Sequence, residues 1–452
     1  MPGRLSDSPD VASGRLSPAT LDANFDDIHP PLSRARALVE ASRCYFCFDA
    51  PCIEACPTGI DIPSFIRKIA TDNVRGAAMD ILRENIFGGA CARVCPTEVL
   101  CEGACVRVAQ EGEPVAIGRL QRYATDPRMA EKRHPFSRAP ATGKRIAVAG
   151  AGPAGLACAH RLAVLGHAVE VFEARPKPGG LNEYGIAAYK LVDDFARREV
   201  DFILGVGGIT LHPGQALGRD LTLADLRRDY DAVFLGLGLG GVRALGLEGE
   251  AIEGVIAAVD YIAALRQADD LATLPVGRRV VVIGGGNTAI DIAVQTARLG
   301  AADVTIVYRR GPAEMSATSH EREFAQVNGV RIRHWARPVG LTAPDGHVRG
   351  VAFETTRMNG GRLEGTGETF SLAADQVFKA VGQTFIADPL NDGAHALLDL
   401  EAGRIVVDED RRTSLGDVWA VGDAIAGGED LTVSAVQDGK IAAQAIDRAL
   451  RS

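Results

Sequence analysis

Two strand–glycine turn–helix units limit how this chain can fold: KRIAVAGAGPAGLACAHRLAVLGHAVEVFEAR from Lys144 and RRVVVIGGGNTAIDIAVQTARLGAADVTIVYRR from Arg278. Each reads as a buried strand, a tight turn, an amphipathic helix and a second strand. The units begin about 134 residues apart and are degenerate copies of one βαβ unit, not a short-period solenoid. They require parallel sheets with helices packed on them.

The turns also carry chemistry. In Gly150-Ala151-Gly152-Pro153-Ala154-Gly155 the chain leaves a strand and enters a helix. Gly150 permits the turn, Gly152 removes a side chain where backbone meets a pyrophosphate, and Gly155 lets helix and strand pack closely. The helix N-terminus then faces the anion with unpaired N–H groups. Glu173 closes the second strand, 23 residues after Gly150, where a carboxylate can accept hydrogen bonds from a ribose. The second turn, Gly284-Gly285-Gly286-Asn287-Thr288, has the same context, but its second strand ends in Tyr308-Arg309-Arg310 with no acid. Two guanidinium groups there suit a 2′-phosphate and hence NADP; used instead as surface ion pairs, they leave NAD open. Two dinucleotide sites in one chain point to FAD and NAD(P)H, with the second domain inserted in the first. Gly179-Gly180-Leu181, just past Glu173, is a further approach to the flavin cofactor. So is Gly422-Asp423, which follows a short strand and resembles a flavoprotein motif; a helix from about Thr432 then aims its N-terminus at the same cofactor.

The second constraint is cysteine. Eight of the 9 cysteines lie between Cys44 and Cys105, and only Cys158 lies elsewhere. The runs are Cys44-x2-Cys47-x4-Cys52-x3-Cys56-Pro57 and Cys91-x3-Cys95-Pro96-x4-Cys101-x3-Cys105. Thiolates two to five residues apart on tight loops can converge on one centre, and Cys-Pro closing a run is a ferredoxin-like feature. The two runs are expected to exchange ligands between two iron–sulfur clusters. Zinc in two four-thiolate sites is the alternative, but zinc does no redox chemistry and leaves the neighbouring glycine turns unexplained. Cys158, His160 and His167 read as packing or surface residues, and no acid, base or nucleophile stands out as catalytic.

Length and charge complete the outline. A chain of 452 residues holds about three domains. With 49 Lys plus Arg against 58 Asp plus Glu, the net charge of −9 argues against nucleic acid as a partner. No apolar run approaches a membrane span, and the N-terminus lacks the apolar stretch of a signal peptide, so a cytoplasmic location is expected. The fold class is α/β with an N-terminal α-helical iron–sulfur domain and two Rossmann-like domains. The expected boundaries are a flexible or loosely packed tail (1–32), the helical domain (33–130), a polar linker, a first FAD part (144–275), the NAD(P) domain (276–380) and a second FAD part (381–452). Alternating residues between 345 and 378 suggest antiparallel strands.

From Cys44 to Gln121, and then through GAGPAG, GGL, GGGNTAID and AVGDA, the sequence resembles the NAD(P)H-oxidising half of dihydropyrimidine dehydrogenase and is similar to the small subunit of the bacterial two-chain enzyme. The resemblance runs from about residue 32 to the end. It implies that Cys44, Cys47, Cys52 and Cys95 hold one [4Fe–4S] cluster. Cys56, Cys101, Cys105 and Gln121 would hold the other, leaving Cys91 without iron. It also implies cofactor contacts at Gly382 and at Lys190, which stands where the family has an arginine near the flavin phosphate. Ser316 replaces a third basic residue near the NADPH phosphate. The glutamate synthase small subunit shares the architecture, but its second cysteine run is shorter. The resemblance further implies hydride transfer between NAD(P)H and FAD, then single electrons through the clusters. Pyrimidine reduction would fall to a separate FMN-bearing large subunit, since its barrel needs roughly 250 residues more. A glutamate-type partner, or a non-catalytic electron-transfer protein, are the alternatives.

Overall fold

The computed structural model describes residues 10–131, 133–392, 395–396 and 398–451. They form two compact units. One comprises residues 29–183, 193–240 and 385–451; the other comprises 10–28, 184–192 and 241–384.

The first unit opens with helices, as the periodicity predicts: Arg34–Ser42, Ile62–Ala70, Val74–Glu84, Gly88–Val94 and Ile117–Met129. Side-chain caps set three of the starts. Ser33, Asp61 and Asn73 each accept the backbone N–H three residues on. Helix Ile62–Ala70 turns Phe65, Ile66 and Ile69 onto Ala77, Ile81, Leu120 and Ala124, and burying each large side chain is worth ~1.5–3 kcal/mol. Cys44, Cys52, Cys56, Cys101 and Cys105 pack on the margin of this core, which anchors their loops.

The same unit contains a five-stranded parallel sheet in the order Val418–Ala420, Ala232–Leu235, Arg145–Ala149, Ala168–Glu173, Ile209–Pro213. Strand Val418–Ala420 joins it only after the chain has traversed the second unit, so the second domain is inserted in the first. Helix Pro153–Val164 packs against the final helix, Thr432–Arg451.

The second unit has its own parallel sheet, ordered Arg331–Arg333, Asp303–Val307, Arg279–Gly284, Gln376–Ala380, Val255–Ala257. The alternation between 345 and 378 lies in an antiparallel sheet of Ala336–Thr342, Gly350–Asn359 and Arg362–Ala373.

Two expected boundaries are corrected. Strand Val255–Ala257 pairs with Gln376–Ala380, so this unit begins near 241 rather than 276. The strand is short and precedes the glycine turn, so it carries no motif signal. The N-terminal segment is not loose from residue 10 onward. Val11–Ala12 pairs with Val276–Gly277, and helix Pro18–Asn24 delivers Leu21, followed by Phe25, into a core with Tyr189 and Tyr261. Asn24 and Arg298 exchange hydrogen bonds through side-chain donors and backbone carbonyls, at 2.8 and 2.6 Å. Two turns of helix are too short to declare a period. Residues 1–9 of the expected tail lie outside the described residues. Among the described residues no helix is long and apolar enough to cross a membrane.

Candidate functional site

The first glycine turn is built as its residue types require. Gly150 has φ of +103°, and a Cβ there would lie 2.3 Å from the Gly236 carbonyl oxygen. A Cβ on Gly155 would lie 1.9 Å from the Gly150 carbonyl oxygen, so only glycine permits this approach of helix to strand. Gly152 caps the helix that starts at Pro153 and Ala154. Glu173 is buried, and its two oxygens accept from Ala151 N (2.8 Å) and Arg175 N (2.8 Å). The second glycine element crosses the turn: Gly179 N donates to Ala151 O at 2.8 Å, and a Cβ on Gly180 would come within 2.7 Å of Gly152 Cα. Leu181 begins a short helix with its side chain partly exposed.

The C-terminal elements return to this place. Gly422 N donates to Asp438 Oδ2 at 3.2 Å. Burial, with Asp430 nearby, pushes the Asp423 carboxyl up to about 6. Thr432 Oγ1 meets Asn182 Oδ1 at 3.2 Å. Gly439, which the sequence reading passed over, lets the final helix touch the turn's helix: a Cβ there would lie 2.3 Å from the Ala154 carbonyl oxygen. A glycine inside a 20-residue helix was the available signal.

In the second unit, Gly284, Gly285 and Gly286 lead into helix Asn287–Arg298, which begins with Asn287 and Thr288. The Tyr308 ring lies over Gly285, and the Ser316 hydroxyl would be 3.1 Å from a Cβ on Gly286. Arg309 and Arg310 follow strand Asp303–Val307, and neither guanidinium has an ion-pair partner among the described residues. The surface-ion-pair use of these two arginines is therefore not what the structure has. Gly382 accepts from Arg243 N through its carbonyl.

Lys190 has protein partners of its own. It belongs to the second unit, where its Nζ pairs with Asp291 (2.9 Å) and Glu321 (2.7 Å). Burial alone would lower its pKa, but the two carboxylates raise it, so the lysine is held charged. Two carboxylates thus share that charge.

All nine cysteines are free thiols. Cys44, Cys47, Cys52 and Cys105 line one cavity with Pro51, Ile62 and Ile66. Cys95 is hydrogen-bonded to Cys91 and within electrostatic reach of Cys101 and Cys56. The expected grouping is therefore corrected in one exchange. Cys105 stands with the first three cysteines, and Cys95 with Cys56 and Cys101. Spacing could not show this, because the fold back from helix Gly88–Val94 decides which loop each cysteine meets. Gln121 is buried on helix Ile117–Met129, and its Nε2 donates to Gly88 O at 2.7 Å. That bond fixes the amide and leaves Oε1 as its remaining ligand atom. Burial, then Cys44 and Cys105, push the Cys52 thiol up to about 12. Such thiols bind metal with proton release. Among the described residues no three His, Cys, Asp or Glu side chains close on a point as one ion requires. Zinc would draw four thiolates to about 2.3 Å from that point, whereas a four-iron cube spreads them over its corners. The donor sets fit clusters.

Comparison with known proteins agrees with the two kinds of domain. Residues 129–439 match the pyridine nucleotide-disulphide oxidoreductase family, and residues 21–133 match dihydropyrimidine dehydrogenase domain II, 4Fe-4S cluster. The fold matches FprA of Mycobacterium tuberculosis (TM-score 0.58, 21% identity, 69% of this chain and 85% of that one). It also matches thioredoxin reductase of T. acidophilum (TM-score 0.53, 21% identity, 68% and 100%). The chain is thus an NAD(P)-dependent flavin and iron–sulfur oxidoreductase. It is 35% identical, over 93% of its length and 96% of the relative's, to the NAD-dependent dihydropyrimidine dehydrogenase subunit PreT of Salmonella typhimurium. It is 34% identical, over 93% of both chains, to the glutamate synthase [NADPH] small chain of Escherichia coli K12. The chain belongs to the family of these electron-input subunits.

Proposed function

We propose that the chain is the electron-input subunit of a dihydropyrimidine dehydrogenase, with two [4Fe–4S] clusters and a separate FMN-bearing subunit that reduces or oxidises the pyrimidine. When bound, the cofactors supply the chemistry, hydride exchange between NAD(P)H and FAD and one-electron relay through iron and sulfide. The chain's own residues position and insulate. Gly150 to Gly155, Gly180, Gly422, Asp423 and Thr432 would cradle FAD, with Glu173 at the adenosine ribose. Gly284 to Thr288 would take the nicotinamide dinucleotide's pyrophosphate. Arg309 and Arg310 would face its adenosine ribose, where unpaired guanidinium groups favour a 2′-phosphate. Cys44, Cys47, Cys52 and Cys105 would hold one cluster, and Cys56, Cys95, Cys101 and Gln121 the other.

The observation that carries this reading is the gathering of Cys44, Cys47, Cys52 and Cys105 around one cavity, in the unit that also contains the flavin-type glycine turn. The five-residue gap between Cys95 and Cys101, and the extra Cys91, favour pyrimidine over glutamate chemistry. The likeness to the glutamate synthase small chain keeps that second reading alive. The test is anaerobic purification with iron and sulfide analysis, then NAD(P)H oxidation with ferricyanide, and with uracil plus the FMN-bearing subunit. Uracil-dependent turnover only with that subunit is expected. Uracil reduction by the isolated chain, or glutamate formation by the natural complex, overturns the pyrimidine assignment.

A further inference from the structure

Twelve large hydrophobic side chains are exposed among the described residues, and five of them, Val39, Tyr45, Phe48, Val99 and Val108, fall between residues 39 and 108. That span is a small part of the chain, so the concentration is local. Phe48 is fully exposed at 107%, in the loop joining Cys47 to Cys52. The backbone arranges this. Phe46 takes φ of +52°, uncommon for a bulky residue, and packs inward onto the helical core under the Arg67 guanidinium (4.7 Å). Two residues later Phe48 points to solvent. Tyr45, 46% exposed, lies beside the same loop and lines the cavity of Cys44, Cys47, Cys52 and Cys105.

Four of the charges around this face pair with one another, while the exposed Arg36 and Asp49, opposite in sign, have no ion pair among the described residues. Arg43 pairs with Glu40 (2.7 Å) and Glu111 (3.8 Å). Arg107 pairs with Glu111 and stacks on the Tyr45 ring (4.1 Å). The Tyr45 hydroxyl donates to Glu111 at 3.0 Å. A diffusible redox partner is usually collected by unpaired charge of one sign over a small contact. Here the charges left unpaired are of both signs, not one, and exposed apolar side chains stand among them, as in interfaces that do not come apart.

We propose that Val39, Tyr45, Phe48 and Val108 form the docking face for a permanently bound protein that carries its own one-electron redox centre and presents an apolar surface. The inference rests on the reading of the chain as an electron-input subunit. It adds where the partner sits, over the Cys44, Cys47, Cys52 and Cys105 group, and that the contact is apolar rather than ionic. Each NAD(P)H oxidised delivers two electrons. They cross this face singly to the partner's centre, and no bond forms across it.

The test uses the full-length holoprotein, tagged and purified from its own cells, as wild type, as Val39→Ser/Phe48→Ser, and as the control Val327→Ser on the other unit. Wild type and control should carry a second protein whose flavin or iron–sulfur absorbance bleaches on adding NAD(P)H. That complex should survive about 0.5 M NaCl, where surface charges are screened within a few ångströms. The double variant should weaken the complex at least about tenfold while keeping its own cluster spectrum and ferricyanide reduction. Three results overturn the inference: a double-variant complex as tight as wild type, a wild-type complex that falls apart in salt, or a wild-type chain found alone or only paired with a second copy of itself. Absence of clusters, or of NAD(P)H oxidation, in the wild-type chain would instead sink the underlying reading, whatever the complexes do.

Discussion

Glu199 accepts a hydrogen bond from the backbone N–H of Ala90 at 2.9 Å, which ties the flavin-type part of the first unit to the helix that bears Cys91 and ends just before Cys95. Glu199 sits on helix Phe195–Leu204 and is fully buried, and its other oxygen has no partner among the described residues. Burial pushes its carboxyl up to about 8, against the lowering by the Ala90 N–H and Arg93, from an ordinary 4.5. Between these values the native chain holds a proton that the unfolded chain lacks, so stability falls as pH rises through this window. Glu199→Gln keeps the acceptor and removes the titration. Its melting temperature should decline less than that of wild type between about pH 5 and about pH 8. Parallel pH profiles would show that Glu199 ionises normally.

The cysteine grouping makes a prediction of its own. Cys105→Ser should remove the same electron paramagnetic resonance signal as Cys44→Ser, and Cys95→Ser the same signal as Cys101→Ser. Gln121→Ala should shift that second signal, and Cys91→Ala should leave both. If Cys105→Ser tracks Cys101→Ser instead, the fold-based grouping is wrong and the spacing-based one stands.

The turns, the insertion of one domain in the other and the helical character of the cysteine region could all be read from residue order. Each rests on local rules, such as a glycine where no Cβ fits or an apolar stripe every third or fourth residue. The exchange of Cys95 with Cys105 could not be read, because it depends on how two loops far apart in sequence meet. The ion-pair partners of Lys190 are hidden for a related reason. A lone basic residue gives no sign of which carboxylates the fold will bring to it, and Asp291 and Glu321 lie more than a hundred residues on. Strand Val255–Ala257 and helix Pro18–Asn24 are too short to show a period.

Among the described residues Lys190 is the one cation paired with Asp291 and Glu321, in the interior of the second unit. Removing one partner of such a group leaves uncompensated buried charge, at a cost of about 3–5 kcal/mol. Lys190→Met should lower the unfolding free energy by that order, and adding Asp291→Asn should restore part of it. FAD content should be unchanged. Loss of FAD without loss of stability would return Lys190 to the flavin site.

Gly439→Ala tests the contact between the final helix and the first glycine turn. The new methyl would meet the Ala154 carbonyl oxygen at 2.3 Å and Cys158 N at 3.1 Å, both backbone atoms that cannot swing aside. Overpacking of this kind costs about 1–3 kcal/mol. Because Ala154 belongs to the turn, the FAD-to-protein ratio after gel filtration should fall together with the melting temperature. Full FAD retention would mean that the helices can separate without opening the turn.

Arg309 and Arg310 close the strand that follows the second glycine turn, and neither is occupied by a carboxylate among the described residues. A hydrogen bond to a charged group contributes about 1.5–3 kcal/mol, so losing one phosphate contact should cost roughly ten- to a hundredfold in binding. Arg309→Ala should therefore raise KM for NADPH by about that factor and leave KM for NADH nearly unchanged, measured by ferricyanide reduction at fixed pH. Ser316, beside Gly286, offers a hydroxyl where a third cation would have strengthened the preference. Ser316→Arg should accordingly lower KM for NADPH. Equal changes for both nucleotides in Arg309→Ala would place the arginine on the shared part of the cofactor and remove the case for 2′-phosphate recognition.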